Sequence, residues 1–122
     1  MIEEIAITLK KRGLTVSVAE ACTAGRLAHI FTSIEGSSAY FIGGIIAYAE
    51  SVKHNVLGIH SEFLAGYGSV SEVVAITMAQ RIRELCNTTI GISVTGIAGP
   101  TGKTANKPIG LFYIGLSTKD YQ

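Results

Sequence analysis

Apolar positions along the chain switch between two periods. Residues 2–12 set Ile2, Ile5, Ala6 and Leu9 on one stripe at helical spacing, and Gly13 follows as a natural stop. Residues 14–19, Leu-Thr-Val-Ser-Val-Ala, change to strict alternation, the pattern of a half-buried strand. Helical spacing returns over residues 25–34 with Leu27, Ile30, Phe31 and Ile34. Residues 41–49 form a β-rich apolar run, long enough for a central strand buried on both faces. Short helical pieces follow at 50–57 and 61–65. The clearest helix spans 72–85: Ser71 offers an N-cap, Val73, Val74, Ile76 and Ile82 supply apolar positions, and Arg81 and Arg83 suit its C-terminal dipole. Residues 89–95 and 109–117 read as the last two strands, with a Gly/Pro/Thr-rich loop at 96–108 between them.

This order of elements predicts an α/β fold, three layers in α/β/α arrangement around a mainly parallel or mixed sheet of about four strands. The first three strands suit parallel pairing through right-handed crossovers, and the last two suit an antiparallel pair. At 122 residues, with no linker, repeat or low-complexity stretch, the whole of 1–122 is expected to form a single domain.

Charge narrows the function classes. Ten Lys and Arg stand against nine Asp and Glu, a net +1, so no polybasic surface is available to hold nucleic acid or a membrane. Hydrophobic residues make up 48% and charged residues 16%, which excludes disorder and favours a compact domain that self-associates. No apolar run approaches the about 20 residues of a membrane span. Glu3 and Glu4 stand where a secretory signal would be positive, so a cytoplasmic protein is expected. Cys22 and Cys86 form no C-x-x-C motif, and His29, His54 and His60 lack ligand spacing; no metal and no cofactor are expected.

Two turns could carry chemistry. Glu20-Ala21-Cys22-Thr23-Ala24-Gly25 leads from a strand into a helix, where free backbone N–H groups and the helix N-terminus favour an anion; an ordinary tight turn explains the same residues. Gly96-Ile97-Ala98-Gly99-Pro100-Thr101-Gly102 leaves a strand with three glycines, which suits close backbone approach to a ligand, or simply a long hairpin loop. Between them, Lys53 becomes a general base if desolvated, although most lysines are merely solvated. Cys22 is either a thiolate at a helix N-terminus or a small buried hydrophobe.

Taken in order, these pieces resemble one family. Glu20 to Gly25 is similar to the E-S-C-T-G-G motif of the CinA carboxy-terminal domain. Gly36-Ser37-Ser38-Ala39-Tyr40-Phe41, Gly44, Tyr48, Lys53 and Gly58 continue the pattern, followed by Val70-Ser71-Glu72-Val73-Val74 with Met78-Ala79. Thr95-Gly96-Ile97-Ala98-Gly99-Pro100, Gly102 and Lys107-Pro108-Ile109-Gly110 supply its last block. The resemblance implies a three-layer α/β domain and a metal-free nicotinamide-nucleotide amidohydrolase, which converts nicotinamide mononucleotide (NMN) to nicotinic acid mononucleotide and ammonia. In that family the motif serine is the nucleophile, a lysine is the base and a tyrosine stands nearby.

Carried over by position, Lys53 is the base and Tyr48 its polar companion. Thr23, Gly25, Ser37, Ser38, Thr95, Gly96, Gly99 and Pro100 line the nucleotide pocket. The nucleophile position is Ala21, which has no group to attack an amide. Ala24 and Lys103 also replace family glycines. The family pattern runs beyond residue 122 into a further strand and helix with a Gly-Asp-Arg motif. A chain without them is expected to hold the substrate phosphate less firmly and to leave a sheet edge for another subunit. The expectation is a catalytically silent or weakened relative that keeps a pyridine-mononucleotide pocket and forms a homo-oligomer. The alternatives are a working amidohydrolase using Cys22 or Thr23, and a non-enzymatic oligomeric scaffold.

Overall fold

A computed structural model describes residues 1–97 and 109–120. In chain order the elements are α1 (Ile2–Arg12), β1 (Val16–Glu20), α2 (Arg26–Thr32), β2 (Phe41–Ile46), α3 (Glu50–Asn55), α4 (Ser61–Tyr67), α5 (Glu72–Cys86), β3 (Ile90–Gly96) and β4 (Phe112–Ser117), with a single 3-10 turn at Ser37–Ala39 before β2. The strands form one sheet in the order β2-β1-β3-β4. β1 runs parallel to β2 and to β3, and β4 closes antiparallel on β3.

Alternation along β1 separates the layers. Val16 and Val18 face α1 and α2, packing with Ala6, Leu9, Phe31 and Tyr40. Ala19 and Ala21 face the other way, into a cluster with Ala47, Leu57, Val74, Met78 and Ile82. Helices on both faces of a mixed four-stranded sheet make the expected three-layer fold.

α5 can lie close to the sheet because the strands beneath it carry small residues. A side chain on Gly91 would fall onto the Ala79 carbonyl oxygen, and one on Gly115 onto that of Ala75. Ser93 donates to Ala75 O at 2.5 Å and Ser17 to Ile82 O at 3.2 Å, so the polar groups at this contact are paired.

Local signals fix the helix ends. Gly13 ends α1 at φ 65, a left-handed conformation that suits glycine. Ser71 caps α5 by accepting from Val74 N at 3.2 Å. One expectation is corrected. β2 is an edge strand, not a central one buried on both faces: Ile42 and Ile46 remain more than half exposed, and the strand ends at Ile46. An apolar run reports the composition of a strand but not how many neighbours it has. At the other edge, Phe112, Ile114 and Leu116 are exposed on the face of β4. Among the described residues, no helix is long and apolar enough to cross a membrane.

Candidate functional site

Parallel strands deliver their C-terminal ends to one rim of the sheet, the usual place for a ligand in an α/β fold. The β1–α2 turn lies at this rim. Ala21 N donates to Val94 O at 2.9 Å, which ties the turn to the end of β3. The turn is tight: Ala24 (φ 51) and Gly25 (φ 102) are both left-handed, and only the second is a glycine.

Glu20 organises the turn. Alternation aims its side chain toward α2, where Oε1 accepts from Thr23 Oγ1 at 2.6 Å and from Leu27 N at 2.8 Å, and Oε2 from Ala28 N at 2.9 Å. The carboxylate is 1% exposed and fully satisfied. This corrects the expectation of free N–H groups at the start of α2, because two of them are held by Glu20. The sequence reading missed this role. Its one signal was the threonine three residues after the glutamate.

Ala21 points to the opposite side, buried in the α5-facing cluster. Cys22 is half-buried; burial pushes its thiol above the ordinary value, opposed by its own backbone N–H, Lys53 and the Thr23 N–H, while Glu20 adds to the rise. The resting group is therefore a thiol, not a thiolate.

Lys53 reaches the same rim from α3. It is 2% exposed, and Nζ donates to Ala47 O at 2.7 Å and Tyr48 O at 3.0 Å. Burial holds its pKa below the usual lysine value, while Glu50 and Cys22 pull it back up. A neutral amine has two N–H groups and one lone pair. In the neutral form, with both N–H groups donated to these carbonyls, a lone pair would remain to accept a proton. Tyr48 supports Lys53 through its backbone carbonyl, and its side chain is 72% exposed.

Thr95 and Gly96 end β3 at this rim as well. Thr95 Oγ1 donates to Ser69 O at 2.8 Å, and a side chain on Gly96 would strike Phe112. Gly25 caps α2 beside Ile46. Ser37 and Ser38 sit elsewhere. Their turn precedes β2, whose first residue pairs with Val16 at the start of β1, so they occupy the opposite end of the sheet. Ser37 Oγ donates to Thr32 O. Gly99 and Pro100 lie outside the described residues, as do Gly102, Lys103, Lys107 and Pro108. Among the described residues, no cluster of His, Cys, Asp or Glu stands close enough to hold a metal ion.

The fold and this rim define an α/β protein that gathers a buried lysine, a strained turn and a strand end at the C-terminal side of parallel strands. The chain belongs to the CinA C-terminal domain family, whose profile matches residues 1–122. It is 53% identical over 109 residues to a CinA-like protein of Rippkaea orientalis, covering 89% of this chain and 26% of that protein. A CinA-like protein of Nostoc sp. is 52% identical over 109 residues, with the same coverage of 89% and 26%. The chain thus spans about a quarter of the length of these curated relatives. Among solved structures, the competence/damage inducible protein CihA of Agrobacterium tumefaciens superposes with a TM-score of 0.95 at 36% identity, over 99% of this chain and 73% of that one. The competence damage-inducible protein A (ComA) of Klebsiella pneumoniae gives 0.92 at 32% identity, over 96% and 73%.

Proposed function

We propose that this chain is a pyridine-mononucleotide-binding relative of the NMN amidohydrolases in which hydrolysis is silenced at Ala21. The observation that carries the reading is the pairing of a buried alanine methyl, at the position where the family motif has its serine, with a buried lysine whose Nζ donates to two backbone carbonyls. A serine there would lose its proton to Lys53 while Oγ attacks the carboxamide carbon. The proton would then go to the departing ammonia, and water would release nicotinic acid mononucleotide from the acyl-enzyme. Alanine supplies no such oxygen.

The neighbouring groups are poor substitutes. The Thr23 hydroxyl is committed to Glu20, whose carboxylate already accepts three hydrogen bonds. The Cys22 thiol is held protonated by burial.

The test is turnover of NMN by the chain at high concentration, following nicotinic acid mononucleotide by proton NMR. The native chain is expected to give no product. Ala21→Ser is expected to raise turnover at least about a hundredfold above the native background, and Lys53→Ala in that variant to abolish the gain. Robust turnover by the native chain overturns the reading. Loss of that turnover in Cys22→Ala or Thr23→Val would name the replacement nucleophile. In parallel, NMN is expected to raise the melting temperature of the native chain by mass action. An unmoved melting temperature would favour a scaffold without a ligand.

A further inference from the structure

The helix that carries Lys53 is tied to the end of β3 through Glu50 and Ser69, which neither the motif nor the reading above uses. Thr95 Oγ1, near the end of β3, donates to the Ser69 carbonyl at 2.8 Å. The Ser69 hydroxyl donates to Glu50 Oε1 at 2.8 Å. Glu50 opens α3 one turn before Lys53 and acts on its charge. Ser69 itself is held in a short turn: Gly68 ends α4, and Ser71, which donates to Gly68 O at 2.9 Å, begins α5. Three elements therefore meet in one relay.

We infer that Glu50, latched by the Ser69 hydroxyl and through Ser69 tied to Thr95, is a positioning residue whose fixed carboxylate, one helical turn before Lys53, favours the charged form of that lysine. The inference rests on the reading of Lys53 as the site's proton-accepting group. A glutamate alone on a surface helix would turn freely in water and act weakly on its neighbour. Fixed by Ser69, its carboxylate stays one turn from a lysine whose hydrogen bonds go to uncharged carbonyls. Its negative charge then favours the ammonium form against the burial that opposes it.

Among the described residues, the other charged and titratable groups around Lys53 are mostly engaged. Cys22, from the β1–α2 turn, acts on Lys53 directly. Glu20 of β1 is occupied with Thr23 and α2. The His54 ring is bonded to Ile59 O, and Arg81 of α5 donates to Leu57 O and Glu84.

The test is the titration of Lys53 in the full chain labelled with 13C at lysine Cε, read by NMR without nucleotide and assigned with Lys53→Arg. Glu50→Gln is expected to move the Lys53 midpoint further down, by about half a unit to one unit. Ser69→Ala is expected to move it in the same direction by a smaller amount, since the freed glutamate swings into solvent. Ser69→Thr keeps a hydroxyl and is expected to restore the native midpoint. An unmoved midpoint in Glu50→Gln, with the amide spectrum intact, overturns the inference. A shift in Glu50→Gln with none in Ser69→Ala overturns the latch. Because no substrate is present, these outcomes are independent of whether NMN binds or is cleaved. In the Ala21→Ser background, Glu50→Gln is expected to displace the pH profile of turnover to lower pH, which a merely structural role would not do.

Discussion

Glu20 and Ala21 are adjacent, yet they serve opposite layers because β1 alternates. The even-numbered side chain turns to α2 and finishes its N-terminus, and the odd-numbered one turns to the α5-facing core. Glu20 is thus a support of the turn and not a reacting group. Removing its carboxylate in Glu20→Ala would strand the Leu27 and Ala28 N–H groups and leave Thr23 without its partner. A loss of about 2–4 kcal/mol is expected, since each buried donor left unsatisfied costs about 1–3 kcal/mol. Urea unfolding of the two proteins measures it. A change under half a kcal/mol would mean that water replaces the carboxylate, and that Glu20 is not what holds the turn.

At the level of elements, the contact between α5 and the sheet depends on what is absent from β3 and β4. Gly91 and Gly115 lie directly under carbonyls of α5, and Ser93, paired with Gly115 across the strands, spends its hydroxyl on the same Ala75 carbonyl that covers Gly115. Gly115→Ala is expected to destabilise by about 1–3 kcal/mol, because the added methyl must push aside backbone and not a flexible side chain. Thermal or urea unfolding would show it, and a neutral result would mean that α5 shifts freely over β4. Such contacts also mark how far the elements were legible in the sequence. Helix stops showed because their chemistry is local: Gly13 after a periodic run, Ser71 before one. The start and the apolar character of β2 were visible, but its end at Ile46 and its edge position were not, since neighbours across a sheet are set by the whole topology. The rim residues Cys22, Lys53 and Thr95 stood out through the family motif. The relay from Glu50 to Ser69 had no signal, because its members are 19 residues apart and become neighbours only when α4 folds back.

For the whole molecule, β1 is the shared wall of two cores. Val16 and Val18 belong to the side of α1 and α2, and Ala19 and Ala21 to that of α5, so the turn carrying Ala21 is held from both sides. Phe31 anchors the first core. Its ring stacks on Phe41 at 6.2 Å and meets Tyr40 edge-on at 6.5 Å, while its carbonyl accepts from the Tyr40 hydroxyl at 2.7 Å. Ile82 is fully buried in the second. If β1 couples the layers, Phe31→Ala should lower the protection of amides in α5 as much as in α2. The expected cost is about 3–5 kcal/mol, felt equally on both faces of the sheet. Ile82→Ala, costing about 2–5 kcal/mol, should likewise reach α2. Native-state hydrogen exchange followed residue by residue makes the comparison. Protection lost only in α2 when Phe31 is truncated would show that the layer opens by itself. Glu20 would then release the turn without disturbing Lys53, and the two halves of the rim would move independently. Equal losses would mean that Ala21 and Lys53 are held in one rigid frame, the condition on which the turnover proposed for Ala21→Ser depends.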